Sequence, residues 1–278
     1  MRKTTSILAI AALTAGAVAC TAGSPPARPG ATPTPGTRPV LFAPEHADDL
    51  AHAAMLDVDA LPGDGWQAVA QDSFGGEDAQ ALATIFEQQS ACDGLDVLRP
   101  LSSLFGGVTG ADAPPIGQAR VEFTQFTGRT LVPTSVETDV TIEETAGDVE
   151  ATQSQIRQAI ESGQAQGCLL AVLGAGSEPE DGSGDRIDFK PRDASAVAPN
   201  GGVTMAYDVH MDVEGVGVDM ALELYVWSRG NARVSALFAG EPNQIDAAFT
   251  GSVLRSFDRH VVDTGTSGGA PAASGPST

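Results

Sequence analysis

The residues best suited to chemistry are one histidine and four acids on the polar faces of two neighbouring predicted strands. We call this set the acidic ladder: Asp208, His210, Asp212, Asp219 and Glu223. A hairpin that turns at Gly215-Val216 sets Asp212 opposite Asp219. It likewise sets Asp208 opposite Glu223, with His210 between the two pairs. Like charges directly opposite on a sheet are destabilising, so a divalent cation or a basic ligand would relieve them.

The alternative for the acidic ladder is a solvated polar face, and it is the interpretation that we favour. A calcium site needs six or more converging oxygen ligands, usually supplied by a loop. A flat sheet rarely supplies so many. We therefore expect no metal and no cofactor.

Catalysis by a nucleophilic serine or cysteine needs a base beside it, and the chain offers few. Its histidines are His46, His52, His210 and His260, and no GxSxG elbow accompanies them. His46 and His52 lie near the amino-terminal linker. His260 lies at the carboxyl end of the last predicted helix, where a cation interacts favourably with the helix terminus. The sequence therefore predicts a protein that is not an enzyme.

Cys20 offers a different chemistry, the acylation of its thiol. Arg2 and Lys3 precede an uncharged apolar run from Ser6 to Val18, which is too short to span a bilayer, since that takes about 20 residues. Ala17-Val18-Ala19-Cys20 resembles the bacterial lipobox, in which the new amino-terminal cysteine takes a diacylglycerol, although Ala17 stands where leucine is most common. We expect residues 1–19 to be a signal peptide and Cys20 to carry acyl chains such as palmitate. An ordinary signal peptide with an incidental cysteine is the alternative.

The segment that contains the anchor, residues 20–44, is rich in Pro, Gly, Thr and Ala and shows no helical or strand period. Such a segment cannot bury enough apolar surface to offset its ordering entropy. We expect a tether that holds a domain at 45–263 on the extracytoplasmic face of the cell membrane. Residues 264–278 are again rich in Gly, Ser, Pro and Ala, which predicts a disordered tail.

Composition narrows the partners of this domain. Removal of the signal peptide leaves 13 basic residues against 36 acidic ones, a net charge of −23. A surface this negative argues against nucleic acid and against anionic lipid headgroups as partners. We expect a monomer that meets the membrane through its lipid and whose partner is a small molecule or another envelope protein.

Cys92 and Cys168 are the cysteines left for the domain. In an oxidising compartment an even pair of cysteines indicates a disulfide. Two free thiols with a redox role are the alternative, and the absence of CxxC spacing disfavours it.

The elements that must position these residues follow from apolar periodicity. Helical stripes extend over Glu45–Asp57, Glu77–Ala91, a run that begins at Asp148, and Pro242–Arg259. Strand-like alternation extends over Gln67–Asp72, Ala119–Phe126, Ser135–Glu144 and a meander between Ile187 and Phe238. This order predicts an α+β domain, with one antiparallel sheet, a meander in the carboxyl-terminal half, and helices packed on one face.

Two strands carry expectations about burial. Ser135–Glu144 alternates strictly, so we expect Val136 and Val140 to face the core while Glu137 and Asp139 face solvent. Trp227 shares the polar face of its strand with the acidic ladder. We expect a loop or the entry helix to cover it, with a ligand groove as the alternative.

A lipobox, a Leu-Pro-x-x-Gly-Trp turn at Leu61–Trp66, the segment Tyr-Val-Trp-Ser-Arg-Gly-Asn-Ala-Arg-Val-Ser at 225–235 and a closing helix occur in this order. With these motifs the chain resembles actinobacterial surface lipoproteins related to the extracellular sensor domains of bacterial serine/threonine kinases. It is similar also to PsbP/Mog1-like sandwich lipoproteins. The resemblance implies an α/β sandwich with a sensing or envelope role, and it supplies no catalytic motif.

We therefore expect a lipid-anchored, non-enzymatic domain that binds or senses a ligand at the cell envelope. An envelope hydrolase is the first alternative. A structural or assembly lipoprotein that contacts other envelope proteins is the second.

Overall fold

A computed structural model describes residues 42–69, 115–126, 132–175, 186–213 and 216–267. Its strands are β1 (Trp66–Val69), β2 (Gly117–Gln125), β3 (Thr134–Ile142), β4 (Arg186–Pro191), β5 (Val203–Val213), β6 (Val216–Arg229) and β7 (Ala232–Gly240). Its α-helices are α1 (Ala47–Ala53), α2 (Ala146–Glu161), α3 (Gln164–Ala175) and α4 (Ala247–Ser267). These residues belong to one compact unit, Pro39–Thr278.

The described strands form one seven-stranded sheet in the order β1-β2-β3-β7-β6-β5-β4. Every neighbouring pair is antiparallel, and β4 to β7 follow one another as a meander. β7 joins the two halves, because it pairs with both β6 and β3. The predicted α+β class, with an antiparallel sheet and a carboxyl-terminal meander, is confirmed.

The front face of the sheet carries the main core, which includes Phe123, Val136, Phe238 and Trp227. Helix α4 covers this face, since the ring of Phe257 meets that of Trp227 edge-on at 5.6 Å. Helix α1 covers its other end and packs very closely. A Cβ at Gly117 of β2 would lie 2.4 Å from the carbonyl carbon of Ala47, so only glycine fits there.

The back face is covered as well. Leu224 and Val226 point away from Tyr225 and Trp227, because successive side chains on a strand alternate between faces, and all four are buried. Helix α2 runs along β5, β6 and β7, and it buries its own apolar side through Val149 and Ile156. The sequence indicated helices on one face, and the structure divides them between two.

The folded domain begins earlier than the sequence predicted. Phe42 is 1% exposed and belongs to the main core, although it falls within the predicted tether, 20–44. The side chain of Asn231 holds it there: the Phe42 amide donates to Oδ1 at 2.7 Å, and Nδ2 donates to the Phe42 carbonyl at 3.3 Å. Nδ2 also donates to the Glu143 carbonyl at 2.9 Å, so one amide ties together three segments.

The closing helix also differs in its bounds. It was predicted over Pro242–Arg259 with a disordered tail from 264, but α4 begins at Ala247 and ends at Ser267. His260 therefore lies inside the helix instead of at its end. Its Nε2 lies 3.0 Å from the carbonyl of Ala53, the last residue of α1, so the helix terminus that it contacts belongs to another helix.

Candidate functional site

Charged and polar side chains lie buried or half-buried on the back face, where β2, β3 and β7 lie side by side. We call this set the polar strip: Gln118, Arg120, Glu122, Glu137, Asp139, Thr141, Arg233 and Ser235. Glu137 and Asp139 are only 5% and 4% exposed. The sequence placed both on a solvent-facing side of β3, and that prediction was wrong. The alternation of β3 is real, but β3 is an interior strand and both of its faces are covered.

The register sets two acids of the strip directly opposite each other, because Glu122 of β2 pairs with Glu137 of β3. The next pair on this face is Arg120 with Asp139. Arg120 reaches diagonally, and its Nε lies 2.6 Å from Oε1 of Glu137. Opposed acids, which the sequence placed in the acidic ladder, therefore occur on the other half of the sheet.

Asp139 is held by neutral donors. Nε2 of Gln118 donates to its Oδ2 at 3.0 Å, and Oγ1 of Thr141 donates to its Oδ1 at 2.9 Å. The positive charge of Arg233 on β7 adds an attraction. These contacts fix the side chain in one orientation on the sheet.

Burial disfavours the charged form of each acid in the strip. It raises the pKa of Glu137 to about 8, against a smaller opposing effect of Arg120. It also raises the pKa of Asp139, although the hydrogen bond from Gln118 opposes this most strongly. The pKa of Glu122 is raised by the same cause. The three acids of the strip thus bind protons more tightly than they do in water.

The strip differs in exposure from one strand to the next. Thr141 of β3 and Arg233 of β7 are buried. On β2, Glu122 is half-buried and the side chain of Arg120 is 21% exposed. The strip is therefore closed at β3 and β7 and partly open at β2.

The acidic ladder has a different register from the predicted one. β5 and β6 pair Val213 with Val216, two residues away from the predicted alignment. His210 consequently faces Asp219, and their Nδ1 and Oδ1 atoms lie 2.7 Å apart. Asp212 faces Gly217, and on the other side β4 places Asp188 beside His210. The predicted opposition of like charges, on which a cation site depended, was wrong.

Asp208, another member of the ladder, lies beside two cations that the sequence did not reveal. Asp208 is paired in register with Lys190 of β4 and lies 3.4 Å from Nη1 of Arg192. Within the described ranges, no three His, Cys, Asp or Glu side chains are grouped so as to hold a metal ion.

Glu223, the last member of the ladder, is fully buried instead of solvated. Its Oε1 accepts from the amide of Ser195 at 3.0 Å and lies 3.3 Å from Nη2 of Arg192. Its Oε2 accepts from the hydroxyl of Tyr225 at 2.5 Å. Burial, followed by the hydrogen bond to Glu223, raises the pKa of Tyr225 above its ordinary value. Glu223 therefore anchors the segment between β4 and β5 to the sheet.

Trp227 is covered by α4, and the loop before β5 also packs against it, since a Cβ at Gly202 would lie 2.8 Å from Cβ of Trp227. Its Nε1 donates to Oδ1 of Asp258 at 2.9 Å. Together with Asn231 and Tyr225, it shows that much of the 225–235 segment fastens the fold. Arg233 and Ser235 are the members of that segment that lie in the polar strip.

The predicted anchor at Cys20 and the cysteine Cys92 lie outside the described residues. Cys168 is buried near the beginning of α3. Lipidation and the pairing of Cys92 with Cys168 therefore stay predictions. No helix in the described parts of the chain is both long and apolar enough to cross a membrane.

The fold and the strip define an α+β domain with ionisable groups buried on one face of its sheet. No protein-family model matches the sequence, and no curated protein matches it. A solved structure that it resembles is the extracellular domain of PknH from Mycobacterium tuberculosis, with a TM-score of 0.39 and 9% identity. The similarity covers 81% of this chain and 100% of that one. It agrees in part with the predicted resemblance, and at this TM-score it assigns no function.

Proposed function

We propose that the protein is a lipid-anchored, non-enzymatic domain that binds or senses a ligand at the cell envelope, with the polar strip as its ligand site. The observation that carries this proposal is the full or partial burial of three acids and two arginines on one face of the sheet. They are Glu122, Glu137, Asp139, Arg120 and Arg233.

Such burial is costly. Removing two charges from water costs several kcal/mol per ion, and their mutual attraction often fails to offset it. Replacing a buried ion pair by apolar residues of similar size is often neutral or stabilising. Ionisable groups with displaced pKa values collect at functional sites, where charge and hydrogen bonding serve a ligand. The strip therefore resembles a ligand-binding site more than it resembles a hydrophobic core.

The strip offers both hydrogen-bond donors and hydrogen-bond acceptors. The guanidinium groups of Arg120 and Arg233 donate, while the oxygens of Asp139 and Glu122 accept when ionised. Its partly open side at β2 gives a small polar molecule a way in. A ligand that carries both donors and acceptors, such as a peptidoglycan fragment, matches this set.

The location at the envelope is supported by the amino-terminal sequence. The run that ends in Ala17-Val18-Ala19-Cys20 has the features of a lipoprotein signal peptide. Two or three acyl chains on Cys20 would anchor the chain stably. The Pro-rich residues that follow, up to Leu41, would hold the domain away from the lipid surface.

A thermal-shift experiment on the purified full chain tests the ligand site. The probes are a muropeptide, calcium chloride and a short-chain phosphatidylcholine. We expect one probe, at about 100 times its Kd, to raise the Tm by about 5–10 °C. The Asp139→Asn variant removes a carboxylate from the strip and should lose the shift, while Asp212→Asn, at an exposed position on β5, should keep it. No shift with any probe, or an equal shift in Asp139→Asn, would contradict the proposal.

A further inference from the structure

We propose that the opposed pair Glu122 and Glu137 forms a proton-binding site, and that loss of the shared proton loosens the polar strip. This inference rests on the proposed function, because it names the condition that regulates the same strip. It implies that the domain responds to the pH outside the cell membrane.

The pairing of the two acids is the first support. Directly opposed residues on antiparallel strands have Cβ atoms about 4.5–5.5 Å apart, and like charges there are destabilising. Glu122 and Glu137 occupy such a pair. Two carboxyl groups that share a site retain one proton between them, because both cannot ionise without strong repulsion.

The balance of charge in the strip is the second support. Among the described residues of the strip, two arginines face three acids, and the positive charge of Arg120 acts on all three. The described acids therefore outnumber the described cations by one. Arg120 lies at Glu137, with Nε 2.6 Å from Oε1, and Arg233 acts on Asp139. Helix α2, which packs along β7, buries Val149, Gln153, Ile156 and Ala159, and none of these is ionisable. The buried residues of α2 therefore supply no charge that would replace the proton, and its one arginine, Arg157, donates to the carbonyl of Gly201 at 2.9 Å.

The direction of the effect follows from burial. The pKa of Glu137 is raised to about 8, so the folded protein holds this proton where the unfolded chain, with a pKa near 4.5, has released it. The contribution to stability is complete below about pH 4.5 and is lost as the pH rises through about 8. Above that range the buried carboxylate of Glu137 and the half-buried carboxylate of Glu122 repel each other.

The test is the Tm of the purified full chain measured from pH 5 to pH 9. We expect the wild-type Tm to fall across this range by about 5 °C more than that of Glu137→Gln, because the amide cannot lose a proton. Glu144→Gln, at an exposed position just beyond β3, is the matched control and should follow the wild type. An equal fall in wild type and Glu137→Gln would overturn the proposal.

A second variant covers the case in which Glu137→Gln fails to fold. Glu122→Gln removes the opposing acid, whose charge raises the pKa of Glu137, and leaves Arg120 beside Glu137. The fall in Tm should therefore occur at a different pH. We expect it to move to lower pH, and an unmoved transition would contradict the shared proton. Neither pH experiment uses a ligand. A pH effect without any probe shift therefore supports this inference and contradicts the ligand site. A probe shift without a pH effect supports the ligand site and contradicts this inference.

Discussion

Asp258 of α4 binds Arg229 of β6 through both of its oxygens. Nε of Arg229 donates to Oδ1 at 2.8 Å, and Nη2 donates to Oδ2 at 2.6 Å. The same Oδ1 also accepts from the indole of Trp227. Planar, bidentate pairing of this kind is among the stronger polar contacts in proteins. It fixes α4 over the front face of the sheet.

Asp258→Ala should therefore lower the free energy of unfolding by about 2–3 kcal/mol, because it leaves a guanidinium and an indole N–H without their acceptor. Asp263→Ala, at an exposed position on the same helix, is the control and should change it by less than about 0.5 kcal/mol. Urea unfolding followed by tryptophan fluorescence measures both. Equal stability of the two variants would show that the pair does not hold α4.

Removal of the Tyr225 hydroxyl should also destabilise the fold. That hydroxyl donates to Glu223 and accepts from the amide of Ala196, so Tyr225→Phe leaves the buried Oε2 of Glu223 and the partly buried Ala196 amide without this partner. We expect a loss of about 1–3 kcal/mol. Tyr207→Phe is the matched control, since the hydroxyl of Tyr207 has no hydrogen-bond partner among the described residues. Chemical unfolding of both variants should separate them, and a loss as large for Tyr207→Phe would argue against the Glu223 contact.

Asn231→Ala should release the amino-terminal end of the domain. The substitution removes all three hydrogen bonds from the side chain, including both to Phe42. Limited proteolysis should then cut near residues 42–46 faster than in the wild type, by about tenfold for each 1.4 kcal/mol lost. Asn243→Ala, at an exposed position before α4, should leave the rate unchanged. A wild-type cleavage rate in Asn231→Ala would mean that packing of Phe42 alone holds this end.

Cys92 and Cys168 should be found joined when peptides are mapped without reduction. A disulfide between them closes a loop of about 76 residues, for which chain entropy predicts roughly 4 kcal/mol of stabilisation. Reduction of the full chain should therefore lower its Tm by several degrees. Two titratable thiols in the unreduced, denatured protein would rule the bridge out.

Local features of the fold could be predicted from the sequence, and long-range ones could not. Alternation of apolar residues located β3, β5 and β6 because the period of two is a property of neighbouring residues. The same alternation could not show that Glu137 and Asp139 are buried, since that depends on what covers the other face of β3. The bond between Asn231 and Phe42 joins residues 189 positions apart, and no local pattern indicates it.

The register of the meander shows the same limit. A shift of two residues keeps every side chain on its predicted face while changing every partner. The pattern therefore placed Asp219 correctly on the face of His210, yet it paired Asp219 with the wrong residue. Glu223 was missed as a buried anchor because its partners, Ser195 and Arg192, come from a segment that precedes β5.

The free energy of unfolding of Glu137→Gln at pH 7 tests most directly whether the polar strip is kept for function instead of stability. If Glu137 holds a proton in the folded state, the isosteric amide should be as stable as the wild type or more stable. If Glu137 is an ionised structural partner of Arg120, the substitution breaks a buried salt bridge and should cost about 3–5 kcal/mol. Urea unfolding of the full chain measures this difference. Unchanged or raised stability is the result that we predict, and a loss of about 3 kcal/mol or more would contradict the account.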